Sequence, residues 1–254
     1  MEWRAEVYSF PESKEGATLS EPQSKNLLLA AIAPDEFERL RPFLEAYPLR
    51  TRETLQEAGE TPEFVFFPTS GIISDLTVLE NGMMIEFATI GREGTTGVPL
   101  VVGMGTSNLA LVSQLKGECV RMKSADFLAQ LQELPSFSGV VTHYCGVMFA
   151  LLAQSAACNR AHHVDERCAR WLLMTHDQAG GDEFSITQEF LAQMLGVSRP
   201  SVALSAAALQ RAGFVRYHRG EMVITDRAGL ERAACECYQV IRGHFDRLAS
   251  LSHY

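Results

Sequence analysis

Residues 186–219 read ITQEFLAQMLGVSRPSVALSAAALQRAGFVRYHR, and their punctuation decides the fold of the C-terminal third. Thr187 can cap a helix whose apolar stripe is Phe190, Leu191, Met194 and Leu195. Gly196 ends it, because glycine takes a left-handed conformation at little cost, and Val197 fills the space beyond. Ser198 is a second cap, and Arg199 and Pro200 occupy a first turn where a missing N–H matters little. The second helix then runs to about Ala212 with Val202, Ala206 and Leu209 inward, and Gly213 closes it. Alanines at 203, 206, 207 and 208 keep it slim enough for a groove about 12 Å wide. Phe214, Val215 and Tyr217, then Met222, Val223 and Ile224, flank the turn His218-Arg219-Gly220-Glu221, which predicts a β-hairpin. Helix, turn, helix and hairpin in that order make a winged helix-turn-helix, and such an element implies DNA binding. The competing reading is simple packing of the same motif in a protein-interaction module, with the winged helix reading no DNA.

Charge is distributed to suit this. The chain of 254 residues carries a formal −9, but residues 1–120 hold 9 Lys+Arg against 18 Asp+Glu, whereas 121–254 hold 13 of each. Between 185 and 227, Arg199, Arg211, Arg216, Arg219 and Arg227 face Glu189, Glu221 and Asp226, a local +2. A modest basic face on the C-terminal part is expected, with the acidic N-terminal part repelling DNA and setting orientation.

Upstream, residues 1–25 form a polar lead, and Asn26–Leu44 reads as a helical start with Pro34-Asp35-Glu36 opening its second turn. Clusters at Phe64–Phe67, Ile72–Val78, Met83–Ile90, Leu109–Leu115 and Cys119–Met122 alternate with Gly, Pro and an Asn81-Gly82 turn, which predicts a β-sandwich or jelly roll within 26–134. After Pro135 the period becomes helical. Val141, Tyr144, Met148, Leu151, Ser155 and Cys158 follow spacings of 3, 4, 3, 4 and 3, an apolar seam. It could lie on the chain's own β domain or form a dimer coiled coil. The dimer is preferred, since two-fold symmetry gives a one-helix reader affinity and half-site spacing. The seam helix spans 135–161, Arg160-Ala-His-His163 reads as a hinge, Val164–Gln178 as a further helix, and Gly180-Gly181 as a linker before the reader within 162–248.

Asp165-Glu166-Arg167-Cys-Ala-Arg170-Trp-Leu-Leu173, Ile186-Thr-Gln-Glu189 and Leu195-Gly-Val-Ser-Arg199, with Val202, Leu209, Gly213 and the hairpin, resemble the Crp/Fnr superfamily of bacterial transcription regulators over roughly residues 26–248. The resemblance implies an α+β chain: an N-terminal cyclic-nucleotide-binding-like β-roll, a long dimerisation helix and a C-terminal winged helix-turn-helix. It implies a homodimer on double-stranded promoter DNA, with RNA polymerase as a further partner and a small-molecule effector that the residues leave unknown. Carried across, Arg199 matches the arginine that reads a guanine edge. Thr187, Ser198 and Ser201 match positions near phosphates, Gln188 is a further DNA-binding candidate, and His218 and Arg219 are either phosphate contacts of the wing or solvated turn residues. Pro200 and Leu204 replace groups that often read bases, which implies a different operator, with Leu204 against a thymine methyl. The dimer interface falls on Val141, Tyr144, Met148, Leu151 and Ser155.

Family members that bind cyclic nucleotides grip the phosphate with a Gly-Glu and a following Arg. Here the nearest match is Gly91-Arg92-Glu93-Gly94, read as a strand turn with Arg92 and Glu93 solvated. Gly103–Asn108 follows, and between Gly94 and Gly117 the basic residue is Lys116 alone. Cyclic AMP binding in the usual way is therefore not expected. No cofactor or metal is expected either. All seven histidines lie at or beyond His143, and Cys119 alone precedes Cys145, which removes a histidine cluster or an iron–sulfur set from the β domain. Cys235 and Cys237, taken as helical, would face apart, and a thiol sensor at Cys145 or Cys158 carries little weight. No GxSxG, HExxH, P-loop or dinucleotide fingerprint appears, so the chain is not read as an enzyme. With no secretory leader and no apolar run approaching about 18 residues, a soluble cytoplasmic protein without membrane partners is expected.

Overall fold

The computed structural model describes residues 25–106 and 109–250. The polar lead, apart from Lys25, lies outside them, as do Ser107 and Asn108. The predicted helical start is broken in three: α1 (Leu27–Ala30), α2 (Pro34–Leu40) and a 3-10 turn at Arg41–Phe43. Pro34 has no N–H to continue α1 and instead opens α2. Asn26 is fully buried. Its side-chain oxygen accepts from Leu29 N, and its amide donates to the carbonyls of Pro68 and Gly94, tying α1 to the β domain.

That domain is a sandwich of two antiparallel sheets. β1 (Glu45–Leu49), β7 (Gly117–Lys123) and β3 (Phe64–Pro68) form one, in the order β1-β7-β3. β2 (Thr54–Gln56), β6 (Leu109–Leu115), β4 (Ile72–Val78) and β5 (Met84–Ile90) form the other, in the order β2-β6-β4-β5. Leu49, Phe66, Ile73, Ile90, Leu111 and Cys119 pack between them. The Asn81-Gly82 turn joins β4 to β5 as the sequence predicts, with Gly82 at φ +79°. A short α3 (Val98–Val101) lies in the β5–β6 connection.

Helix α4 (Ser124–Glu133) leads into α5 (Pro135–Ala161), 27 residues long, about 40 Å at the usual rise per residue. Its N-terminus is held by Glu36, whose two carboxylate oxygens accept from Ser136 N and Phe137 N at 3.1 and 3.0 Å. By length and composition α5 could cross a membrane, with a mean hydropathy of 1.5 in its most apolar stretch, but 44% of that stretch is buried inside the protein. Ser, Thr, His and Gln interrupt its Ala, Val and Leu, so the sequence holds no unbroken apolar run here.

The α5 seam differs from the favoured expectation. Val141, Tyr144, Met148 and Leu151 belong to a core with Leu28, Phe37, Phe67, Phe127, Ile241 and Leu248, and Ser155 is buried too. These side chains are already withdrawn from water by their own chain and have no surface left for a dimer partner, so the intramolecular alternative holds for them. The face of α5 away from this core shows Phe149, 75% exposed, and Leu152, 38% exposed.

The hinge falls at His162, in extended backbone. His163 then caps α6 (Val164–Ala179) in a capping box, with Glu166 accepting from His163 N at 2.8 Å. Beyond Gly180 come β8 (Glu183–Ser185), α7 (Gln188–Leu195), α8 (Arg199–Arg211), β9 (Val215–His218), β10 (Glu221–Ile224), α9 (Arg227–Ala233) and α10 (Cys237–Ser250). The wing is a three-stranded sheet, β8-β10-β9, whose third strand the sequence did not announce.

Tyr144 shows how tightly α5 meets the β-roll. A Cβ added to Gly94 would lie 2.1 Å from its hydroxyl oxygen, and both residues are buried. Gly94→Ala is expected to lower stability by about 1–3 kcal/mol, measured by chemical denaturation. Wild-type stability would contradict this packing.

Candidate DNA-reading face

Local chemistry builds the reader as the sequence requires. Thr187 Oγ1 accepts from Phe190 N, Gly196 sits at φ +62°, and Ser198 Oγ accepts from Ser201 N. Val202, Ala206 and Leu209 are buried. Ser205 donates to Asp165, fastening α8 to α6. The wing turn places Arg219 (φ +49°) and Gly220 (φ +88°) in left-handed backbone, the conformation a two-residue hairpin needs.

What remains outside is the chemistry. Ser198, Arg199, Pro200 and Leu204 of the second helix are exposed, as are Arg216, His218 and Arg219 of the wing. Thr187, Gln188 and Ser201 are half-buried. Leu204 is 73% exposed, an apolar side chain that α8 does not pack. Among the described residues Arg199, Arg216 and Arg219 form no ion pair. Arg227, by contrast, leaves the basic face: its guanidinium bonds Asp177 at 2.6 Å and Glu231 at 3.1 Å and also meets Tyr238. One cation that the sequence reading missed joins instead. Arg52, in the turn before β2, donates to Thr187 Oγ1 at 3.2 Å across 135 residues of chain, a contact with no local signal.

The reader is seated on its own β-roll. A Cβ at Gly196 would stand 3.4 Å from Ile85 of β5. Leu76 and Ala110 of the sheet share one core with Trp171, Leu172, Leu191 and Leu195. Polar groups run through this junction. Trp171 Nε1 donates to Glu86 Oε1 at 2.6 Å, Ser74 donates to Glu86 Oε2 at 2.7 Å, and Gln114 donates to Thr175 at 3.4 Å. Burial pushes the Asp75 carboxyl up to about 8, helped by the neighbouring Glu86, and burial likewise pushes Glu86 up to about 7.

The Gly91–Gly94 turn also departs from expectation. Arg92 is exposed, but Glu93 is buried, accepts from Gly91 N at 3.3 Å and is raised by burial to about 7. Gln178 of α6 and Tyr144 of α5 press on the two glycines, so a Cβ at Gly91 would lie 2.3 Å from Gln178 Oε1. Beside it a cavity of about 240 Å³ is lined by Arg92, Glu93, Gln178, Tyr238 and Arg242 among others.

A second convergence departs from the expectation that Cys235 and Cys237 face apart. Cys158, His162, Cys235 and Cys237 bring their ligand atoms within 4.8 Å of one another. On one continuous helix the two side chains would point apart. The chain instead leaves α9 at Ala234 in extended backbone, and Cys235 and Glu236 lie between helices.

Comparison with known proteins places this geometry. Residues 166–233 match the model of the Crp-like helix-turn-helix domain. Among solved structures, a Crp/Fnr-family transcriptional regulator from Eubacterium rectale is 14% identical, with 83% of this chain and 98% of that one covered and a TM-score of 0.65. FixK2 from Bradyrhizobium japonicum is 17% identical, covering 76% and 98% with a TM-score of 0.58. The c-di-GMP responsive regulator CLP of Xanthomonas campestris is 17% identical, covering 75% and 98% with a TM-score of 0.59. At these identities the structures establish a shared fold. No curated protein matches the chain.

The buried acids predict a pH dependence. Asp75, Glu86 and Glu93 have folded values above those of the unfolded chain, so the fold holds protons that the unfolded chain releases. Their stabilisation is complete below about pH 4 and is lost as pH rises through 7 to 8. The melting temperature is expected to fall between pH 6 and 8.5, and Asp75→Asn or Glu86→Gln to flatten that fall. A wild-type slope retained in both variants would contradict the assignment.

Proposed function

We propose that this chain is a Crp/Fnr-superfamily regulator, a DNA-binding transcription factor rather than an enzyme, which its Crp-like helix-turn-helix domain and shared fold support, and that it works in the cytoplasm as a homodimer on promoter DNA, with RNA polymerase as a further partner. The observation that carries the reading is the outer face of α8 and the wing, where Arg199, Arg216 and Arg219 stand exposed without acidic partners among the described residues. An interaction module would have no use for three unneutralised guanidiniums beside a slim helix, whereas DNA supplies phosphates and guanine edges. Arg199, in the first turn of α8, is the base reader, its fork suited to guanine O6 and N7. Ser198, Ser201, Thr187 and Gln188 contact the backbone, Leu204 meets a thymine methyl beside Pro200, and His218 and Arg219 hold a flanking phosphate. Arg52 adds a cation next to Thr187.

The dimer forms on the outer stripe of α5, not on the seam first expected. Phe149, Leu152, Ala156 and Asn159 repeat at spacings of 3, 4 and 3 on that face, and the small residues Gly146, Ala153 and Ala157 beside them permit close approach. The β-roll is an effector domain that does not hold cyclic AMP in the usual way. The packing of Gln178 and Tyr144 on Gly91 and Gly94 supports this, as does the lack of an arginine between Gly94 and Gly117.

Arg199→Ala is expected to weaken binding to the cognate site by about 1–3 kcal/mol and to relax preference at one base per half-site. Equal losses on cognate and random DNA would show phosphate contact only. Phe149→Glu is expected to yield a folded monomer with weakened DNA binding by sedimentation and titration, while Met148→Glu unfolds the core instead. A dimer of unchanged mass in Phe149→Glu would remove α5 as the interface.

A further inference from the structure

The hinge and the C-terminal helix meet at a cluster that neither the fold nor DNA reading requires. Cys158 lies in the last turn of α5, and His162, the residue just past its end, donates its backbone N–H to the Cys158 carbonyl at 3.1 Å. Cys235 arrives from the link between α9 and α10 and Cys237 opens α10, more than seventy residues later. The three thiols are buried and the imidazole half-buried. Cys158 Sγ and Cys235 Sγ are 3.5 Å apart, and Cys237 Sγ is 3.6 Å from His162 Nδ1. A tetrahedral ion with bonds of 2.3 Å to sulfur and 2.0–2.1 Å to nitrogen needs sulfur–sulfur edges of about 3.8 Å and sulfur–nitrogen edges of about 3.6 Å. The spacing suits a single ion, and no fifth protein donor is required.

The surroundings fit the same reading. His162 turns Nδ1 to the cluster and Nε2 to Glu236, whose carboxylate is 3.1 Å away. Handing the distal N–H to a carboxylate is how metal-bound histidines are oriented. Gln154 donates an amide N–H to Cys237 Sγ at 3.0 Å, a bond that favours thiolate. Arg167 and Arg170 are both buried, lie within electrostatic reach of Cys158, and each keeps an Nε without a hydrogen-bond partner among the described residues. A divalent ion with three thiolates carries one net negative charge, which those guanidiniums would balance.

We propose that Cys158, His162, Cys235 and Cys237 bind one thiophilic divalent cation, Zn2+, in a closed Cys3His site that clasps the end of the long helix to the C-terminal helix. Binding releases the three thiol protons, and the ion keeps its oxidation state. Soft sulfur with imidazole selects zinc over magnesium or calcium, and four protein ligands leave no open position for catalysis. The clasp sits beside the His162–His163 hinge, so metal occupancy fixes the angle at which the reader leaves α5. The site stands on its own geometry, and only this effect on DNA rests on the proposed function.

The test is titration of the reduced, metal-stripped full-length protein with Co2+ and then Zn2+, with metal content read by elemental analysis. The expected result is one equivalent per chain, with the absorption of tetrahedral thiolate-bound cobalt, bleached by zinc. Cys158→Ser and Cys237→Ser should lose it and Cys145→Ser, outside the cluster, should keep it. His162→Gln, at a partly exposed position, guards against variants that fail to fold and should weaken binding at least tenfold. No uptake by the reduced wild type would overturn the site, as would uptake unchanged in Cys158→Ser and Cys237→Ser. Isolation of a Cys158–Cys235 disulfide whose reduction restores no metal binding would overturn it as well. Cognate DNA affinity measured with and without zinc then reports the hinge separately. A zinc-loaded protein with unaltered DNA binding keeps the site and overturns the control of the reader angle.

Discussion

Helix α6 is the member on which the rest of the molecule depends, because it is buried on two sides at once. One side lies on the sheet face carrying Leu76 and Ala110, and the other receives α7 and α8 through Leu191, Leu195 and Val202. Burial of this kind is non-directional and would permit sliding, and polar pairs remove that freedom. Trp171 reaches Glu86 of β5, Arg167 donates to the Leu195 carbonyl at the end of α7, and Asp165 accepts from Ser205 of α8. A buried donor left unmade costs more than a made one contributes, so these bonds fix the register of the reader against the sensor-like domain.

From that register follows a continuous set of contacts from the β-roll to the winged helix. The reader's first helix rests on β5, and Arg52 of the β-roll touches the cap of that helix. Glu86 of β5 and the Gly91–Gly94 turn are tied to α6 through Trp171 and Gln178, and α6 is tied to α8 through Asp165. The long helix supplies the fixed frame. Its inner stripe is consumed by the chain's own core, and its outer stripe, with Phe149 and Leu152, is exposed.

Much of this was legible in local sequence because local sequence causes it. The two caps, the glycine at 196 and the Arg219-Gly220 turn act within a few residues, and they form as read. Strands β4, β5 and β6 fall on the apolar clusters read from the sequence, which turn residues separate. The failures share a non-local cause. β1 contains Pro48, which argues against a strand, yet it pairs with β7 at a sheet edge. A heptad spacing reports that one face of α5 is buried but not by what, and the β-roll claimed that face before any partner could. Glu93 looked solvated beside Arg92 because its burial depends on α5 and α6. The Cys3His cluster joins positions 158 and 237, and a helical period wrongly extended over Cys235 hid it.

The most direct measurement is selection of DNA from a random pool by the purified protein, followed by a salt titration on whatever is enriched. The account predicts a palindrome with half-sites about one helical turn apart, bound more tightly than random sequence and with a steep loss of affinity as salt rises. Binding that enriches no sequence, or enriches a single unpaired half-site on a monomer, would contradict a dimeric reader built on Arg199 and the outer face of α5.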